Sequence, residues 1–217
     1  MNILASICFV ALPSLGLANQ NAVSDRPLAV VGFGDSLMSG FELPVDDSFT
    51  AQLEKALHDK GINVSIANAG VAGETTTDGL SRLDWSVPDG TDMVILEFGA
   101  NDALRGISPE ISEQNLSAII ERLKQRNIQV ILAGMLAPPN MGHDYEEKFN
   151  AIFPRLAKKY DVPLYPFFME GVATERSLQL EDGMHPNAKG VARMVEGFMP
   201  VMEKTIAASS VAAGSGQ

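Results

Sequence analysis

The chain has 217 residues, 46% of them hydrophobic, and a formal net charge of −11. This length and hydrophobic content are sufficient for one well-packed core, so we expect a single domain. No cluster of lysine and arginine interrupts the acidic character of the chain. The electrostatic attraction that drives nucleic-acid binding is therefore missing, and we expect no nucleic-acid partner.

Residues 1–18 have the pattern of a cleavable export signal. They carry no charged side chain and are followed by the polar sequence NQNAVSDRP. Gly16 and Ala18 are small residues at the positions that a signal peptidase prefers. Pro13 and the short apolar length argue against a membrane span. We therefore expect a signal peptide over 1–18 and a mature protein that begins at Asn19, although no Lys or Arg precedes the apolar segment.

Cys8 is the only cysteine of the chain, and it lies within this predicted signal. The mature protein would therefore have no disulfide, no cysteine nucleophile and no thiolate metal ligand. The histidines His58, His143 and His185 are scattered without the spacing of metal ligands, so we predict no metal site.

Short apolar segments alternate with longer amphipathic segments along the rest of the chain. The apolar segments predict strands at 28–33, 62–70, 92–99, 128–136 and 162–168. The amphipathic segments predict helices at 49–60, 75–85, 108–127, 144–161 and 185–206, with a kink at Pro154. This alternation predicts a parallel sheet with helices on both faces and a ligand site at the carboxyl ends of the strands. We place the domain at 19–204 and a disordered tail of small and polar residues at 205–217.

Asp35 and Ser36 follow the first predicted strand directly, at the point where a helix is expected to start. The dinucleotide-binding fingerprint fails here because Leu37 stands where its third glycine is required, and no Walker lysine follows. The nucleophile elbow of α/β-hydrolases fails because Met38 replaces its second glycine. Two alternatives remain from the residues alone: the pair caps the helix, or the serine is a nucleophile.

Other predicted strand ends carry complementary chemistry. The glycine-containing loop from Asn68 to Gly73 lets backbone N–H groups approach a ligand closely, although an ordinary turn has the same pattern. Asn101 follows a strand, where its amide could cap its own loop or donate to an oxyanion. His185 lies three residues after Asp182, an acid that could orient the imidazole ring toward a nucleophile.

Four segments resemble those of the SGNH hydrolases, also called GDSL esterases and lipases: GDSL at Ser36, the glycine at Gly73, GAND at Asn101 and DGMHPN at His185. They occur in the same order as in that family. The segments LRG, YPFFMEGV and HPNAKG are similar to the bacterial branch that contains thioesterase I, lysophospholipase L1 and arylesterase. The resemblance extends over residues 28–204.

The resemblance implies a flavodoxin-like α/β fold, a three-layer αβα sandwich with a five-stranded parallel sheet. It also implies a triad in which Ser36 is the nucleophile, His185 the general base and Asp182 the residue that orients the imidazole. The backbone N–H groups of Ser36 and Gly73 and the side-chain amide of Asn101 would form the oxyanion hole. No metal or organic cofactor is required for acyl transfer by such a set.

The same resemblance implies that Asp35 braces loops rather than reacting. Ala100 stands where related enzymes often have a second glycine, which should be tolerated unless the position needs a positive φ. Five side chains are candidates for contact with substrate: Leu104, Arg105, Ile107, Met135 and Met184. Substrates of this branch are aryl esters, short to medium acyl esters, acyl thioesters and lysophospholipids. The branch is mostly periplasmic, which agrees with the predicted signal, and we expect a monomer.

Two other functions are compatible with these residues. A carbohydrate O-deacetylase could use the same fold and triad. A flavodoxin-like binding protein could hold a carbohydrate or nucleotide without turning it over, although the pairing of Asp182 with His185 would then be a coincidence.

Overall fold

The computed structural model describes residues 26–214, and side chains up to residue 209. The signal peptide predicted over residues 1–18 lies outside the described residues. Within them, no helix is both long enough and apolar enough to cross a lipid bilayer.

A parallel sheet forms the centre of the protein, with the strand order β2-β1-β3-β4-β5. Its strands are β1 (Leu28–Gly34), β2 (Val64–Gly70), β3 (Met93–Glu97), β4 (Gln129–Ala133) and β5 (Leu164–Tyr165). All residues of β3 are buried, as expected for a central strand covered by helices on both faces. β5 is much shorter than predicted because Pro163 and Pro166 flank it and cannot donate a hydrogen bond to a neighbouring strand.

Helices cover both faces of this sheet. They are α1 (Ser36–Ser39), α2 (Phe49–Asp59), α3 (Thr76–Ser86), α4 (Ala100–Leu104), α5 (Pro109–Gln125), α6 (His143–Asn150), α7 (Ile152–Tyr160) and α8 (Ala188–Gly214). α2 packs against α8, whereas α3 packs against α5 and α5 against α7. The predicted flavodoxin-like three-layer architecture is confirmed.

The helix predicted over 144–161 is interrupted. α6 ends at Asn150 and α7 begins at Ile152, so the interruption precedes Pro154, where we had placed a kink. Pro154 has no N–H to donate to the carbonyl of Asn150, the residue four positions earlier. The helical hydrogen-bond ladder therefore breaks one turn before the proline.

The tail predicted to be disordered from residue 205 requires a correction, because α8 continues to Gly214. Thr205 Oγ1 donates to the carbonyl of Val201 at 2.7 Å, and Ser209 Oγ donates to the carbonyl of Thr205 at 2.8 Å. Ile206 packs against the hydrophobic core. The composition of this segment suggested disorder, but its alanines favour helix, Thr205 is buried and Ile206 is half-buried.

The topology brings the candidate segments to one edge of the sheet. β1 lies between β2 and β3, so the residues that follow these strands are neighbours although they are far apart in sequence. They are Asp35 and Ser36 after β1, the loop to Gly73 after β2, and Asn101 in α4 after β3. Open parallel sheets bind ligands at such a point, where strand order reverses direction.

Candidate active site

Ser36 is the first residue of α1 and follows β1 by one residue. Asp35 caps this short helix, since its Oδ1 accepts the N–H of Leu37 at 3.0 Å. α1 ends at Ser39 and is followed by its C-cap residue Gly40, whose φ of +76° favours glycine. Capping is therefore done by Asp35, and the side chain of Ser36 is not used for it.

The structure brings Ser36, His185 and Asp182 together. His185 Nε2 lies 2.8 Å from Ser36 Oγ, and His185 Nδ1 lies 2.5 Å from Asp182 Oδ2. The loop that carries both residues is tightly closed, because Asp182 Oδ1 accepts the backbone N–H groups of Met184 at 2.9 Å and His185 at 3.0 Å. Gly183 permits this turn with a φ of +70°. The result is one continuous chain of hydrogen bonds from carboxylate to hydroxyl.

Asp182 is ionised at neutral pH. Partial burial opposes its ionisation, but the hydrogen bonds from Met184 and His185 outweigh that effect and lower the pKa of Asp182 to about 2. An ionised carboxylate accepts the proton of Nδ1, which leaves Nε2 as the acceptor facing Ser36. The ring of Phe41 lies beside the imidazole, with 4.5 Å between centroids, and limits its rotation.

Two backbone N–H groups near the serine are unused. Among residues 26–214, neither the N–H of Ser36 nor that of Gly73 has an intramolecular acceptor. Gly73 has a φ of +81°, a conformation that other residues rarely adopt. Its carbonyl accepts Arg105 Nη2 at 2.5 Å, which holds the peptide in place. These N–H groups are available to a negatively charged oxygen.

Asn101 lies between the Asp35–Ser36 turn and the Gly73 loop. Its Nδ2 donates to Asp35 Oδ2 at 3.1 Å and to the carbonyl of Glu74 at 3.0 Å. Both amide hydrogens therefore have acceptors here, and donation to an oxyanion would require one of these bonds to be shared or exchanged. Ala100 is the first residue of α4 and is not among the described residues with positive φ, so no second glycine is needed there.

Arg82 was not identified from the sequence, yet it joins the segments around the site. Its Nε donates to Glu74 Oε2 at 2.5 Å and its Nη2 to the carbonyl of Gly34 at 3.1 Å. The guanidinium lies 4.6 Å from the ring centroid of Phe33, and only 5% of the residue is exposed. The sequence offered one indication of this role: Arg82 is a basic residue within a predicted helix that has to pack against the sheet.

The residues predicted to contact substrate fall into two groups. Leu104 and Met184 are exposed to 56% and 55%, and Arg105 is exposed beside Gly73. Ile107 is half-buried, and its carbonyl accepts the hydroxyl of Tyr145 at 2.8 Å. Met135 is a correction: it is 4% exposed and belongs to the hydrophobic core, so it does not line an open surface. Shortly after β4 the chain is still covered by helices, so the apolar side chain of Met135 packs into the core.

A serine, a histidine and an acid in series, at the carboxyl edge of a parallel sheet, define a serine hydrolase. The model of the GDSL-like Lipase/Acylhydrolase family matches residues 33–193, and the chain belongs to this family. The likeness to an arylesterase of Vibrio mimicus is 37% identity, over 76% of this chain and 84% of the relative.

Two further comparisons agree with this family. Thioesterase 1/protease 1/lysophospholipase L1 of Escherichia coli (strain K12) is 39% identical over 71% of this chain and 73% of the relative. The crystal structure of AlinE4, an SGNH-hydrolase family esterase, is 44% identical with a TM-score of 0.71, covering 83% of this chain and 97% of that one. The protein is a serine hydrolase that acts on ester bonds.

Proposed function

We propose that the protein hydrolyses carboxylic esters and thioesters through an acyl-enzyme on Ser36. The observation that carries this proposal is the hydrogen-bond chain from Asp182 through His185 to Ser36 Oγ. His185 Nε2 takes the hydroxyl proton as Ser36 attacks the acyl carbonyl, and it returns that proton to the leaving alcohol or thiol. Water then attacks the acyl-enzyme with the same base, and Ser36 is released.

The oxyanion of the tetrahedral intermediate is received by the free N–H groups of Ser36 and Gly73. Both are rigidly held, Ser36 by the capped first turn of α1 and Gly73 by the bond from Arg105 to its carbonyl. Asn101 is the third donor in this proposal, and it gives up its bond to Glu74 when the oxyanion forms. Donors that are fixed in advance stabilise developing charge without the cost of reorganisation.

We propose aryl esters and short to medium acyl esters and thioesters as substrates. The relatives named as an arylesterase and as a thioesterase and lysophospholipase support these classes. Leu104, on α4 after Asn101, and Met184, beside His185, are exposed apolar residues next in sequence to the proposed machinery. They offer contact area to an apolar acyl or aryl group.

The test is covalent labelling and turnover. A fluorophosphonate probe should label the wild type at Ser36, and Ser36→Ala and His185→Ala should lose hydrolysis of p-nitrophenyl butyrate while remaining folded. His143→Ala is the matched control, because His143 lies at the start of α6 and outside the triad, and it should keep wild-type turnover. Near wild-type turnover in Ser36→Ala would contradict the proposal. The deacetylase alternative is tested by assaying an acetylated carbohydrate alongside p-nitrophenyl butyrate.

A further inference from the structure

The carboxyl group of Glu97 is fully buried and lies next to Asp35, in the turn that carries the proposed nucleophile Ser36. Glu97 is the last residue of β3 and is 0% exposed. Its Oε2 accepts the backbone N–H of Asp35 at 3.1 Å, whereas no N–H or O–H group among the described residues donates to its Oε1. A Cβ atom on Gly34 would lie 2.4 Å from Oε2, so the glycine of the GDSL segment makes room for this side chain.

Asp35 is a second buried carboxyl group beside Glu97, and it is better supplied with donors. It is 0% exposed, and it accepts Leu37 N–H at 3.0 Å and Asn101 Nδ2 at 3.1 Å. Two adjacent carboxyl groups in a fully buried site cannot both be ionised without a compensating cation.

The charged groups around this pair do not supply that cation to Glu97. Arg82 reaches the carbonyl of Gly34, but its charge is paired with Glu74. His185 is hydrogen-bonded to Asp182 and Ser36, and it acts on Asp35 at longer range. A buried carboxyl group with no cation and one unpartnered oxygen is neutral rather than charged.

We propose that Glu97 is a positioning residue that stays protonated and donates a hydrogen bond from Oε1 to the Asp35 carboxylate. Asp35 then remains ionised, caps α1 and holds the amide of Asn101. This inference rests on the proposed function, because the turn and the amide matter through Ser36 and the oxyanion hole. The proton lies on Glu97 since Asp35 has more N–H donors and faces the imidazole.

The titration behaviour of the pair agrees with this geometry. Burial is the largest cause that raises the pKa of Glu97 well above its usual range, and repulsion from Asp35 adds to it. Burial also raises the pKa of Asp35, to about 6, and the bonds from Leu37 and Asn101 together with the charge of His185 limit that rise. Near neutral pH the pair therefore holds one proton and one negative charge.

The negative charge on Asp35 has a consequence for catalysis. His185 becomes an imidazolium when it takes the serine proton, and a fixed anion nearby favours that state. Loss of the Glu97 donor would raise the pKa of Asp35 further. Asp35 would then protonate at a higher pH, and its hold on Asn101 would be lost there. The acid limb of the pH–rate profile, where the rate falls with decreasing pH, should therefore move to higher pH.

The test compares two variants across pH 5 to 9. Glu97→Gln keeps an oxygen to accept Asp35 N–H and replaces the O–H donor by an N–H donor, so it should preserve the acid limb and most of kcat. Glu97→Leu removes both, so its acid limb should move to higher pH and kcat should fall about 10- to 100-fold with little change in KM. A glutamine variant that behaves like the leucine variant, or a leucine variant with the wild-type profile, would overturn the proposal.

Carbon NMR of glutamate side chains in the wild type gives a second measurement that needs no activity and no destabilised variant. The Glu97 carboxyl signal, assigned by its loss in Glu97→Gln, should be that of a protonated acid at pH 7. Glu147→Gln is the matched control, because Glu147 is exposed, and the carboxyl signal that this substitution removes should differ in chemical shift from that of Glu97. An ionised Glu97 would overturn the inference. Absence of fluorophosphonate labelling in the wild type would instead contradict the proposed function.

Discussion

Asp35 provides the helix cap that the sequence leaves open for the GDSL segment. Its carboxyl group caps α1 through Leu37 and also accepts the amide of Asn101. Helix capping and the chemistry of the site are thus divided between adjacent residues, because Asp35 takes the cap and leaves the hydroxyl of Ser36 facing His185. The dipeptide alone could not reveal this division, since serine and aspartate are both good caps.

Replacing Asn101 by alanine should depress kcat strongly. Removal of one oxyanion donor typically costs about 10²- to 10³-fold in kcat, and the loss should appear equally in kcat/KM because the donor acts mainly in the transition state. If Asn101 only braces its loop, the variant should lose about 1 kcal/mol of stability and keep its rate. Kinetics and thermal unfolding measured on one preparation separate these outcomes. A destabilised but fully active variant would show that this donor is misassigned.

Asp182 should make folding stability depend on acid pH. Its pKa in the folded protein is about 2, below the usual range, so its stabilising effect is complete above the unfolded pKa. The effect is lost as pH falls from about 4 toward 2, because protonation removes the favourable bonds of the carboxylate. Urea unfolding of wild type and Asp182→Asn over this range should show the wild type losing its advantage over the variant. A constant difference between them would contradict the assignment.

Elements buried on both faces were the easiest to predict. β1 and β3 are apolar runs next to turn signals; β3 lies within its predicted range, and β1 extends one residue beyond it, to Gly34. The extent of α8 depends on tertiary context instead. The composition of residues 205–217 favoured a disordered tail, but the contact of Ile206 with the core stabilises the continuation of α8. Local patterns cannot report such a contact, which depends on how α8 lies against the sheet.

Arg82 links three elements and should be sensitive even to a conservative change. Arg82→Lys keeps the charge but cannot bond Glu74, Gly34 and Ser86 at once, because its single side-chain nitrogen cannot occupy the positions of Nε, Nη1 and Nη2 together. We expect a loss of about 1–3 kcal/mol in the free energy of unfolding, since buried acceptors lose their donors. We also expect a lower kcat, because Glu74 follows Gly73 directly.

Arg122→Lys is the matched control for this prediction. Arg122 pairs with Asp84 on the surface, where 41% of the Arg122 side chain and 64% of the Asp84 side chain are exposed. Exposed ion pairs contribute about 0–1 kcal/mol, so this variant should unfold at nearly the wild-type urea concentration and retain its kcat. Equal effects of the two lysine substitutions would show that Arg82 does not join the elements around the site.

At the scale of the whole molecule, the motifs at strand ends were sufficient to predict which residues meet at one edge of the sheet. Parallel strands deliver their carboxyl ends to one edge, so Ser36, Gly73 and Asn101 meet without any sequence proximity. Glu97 and Arg82 were missed for a common reason. Each is an ionisable residue in a segment whose periodicity only indicates strand or helix, and burial of its side chain becomes visible only when neighbouring elements are in place.

The predicted export signal lies in the part of the chain before residue 26 and can be tested by its cleavage. If residues 1–18 are a signal peptide, the protein recovered from the periplasm should have the mass of a chain that begins at Asn19. Ala18→Arg should block this cleavage, because signal peptidase requires a small residue there, and the precursor should accumulate with its leader attached. Cys8→Ser is the matched control and should leave processing unchanged, since Cys8 is removed with the leader. Intact-mass spectrometry of both fractions decides the matter: a wild-type protein that keeps its leader, or that carries a modified Cys8, would show that the segment is not a cleaved signal.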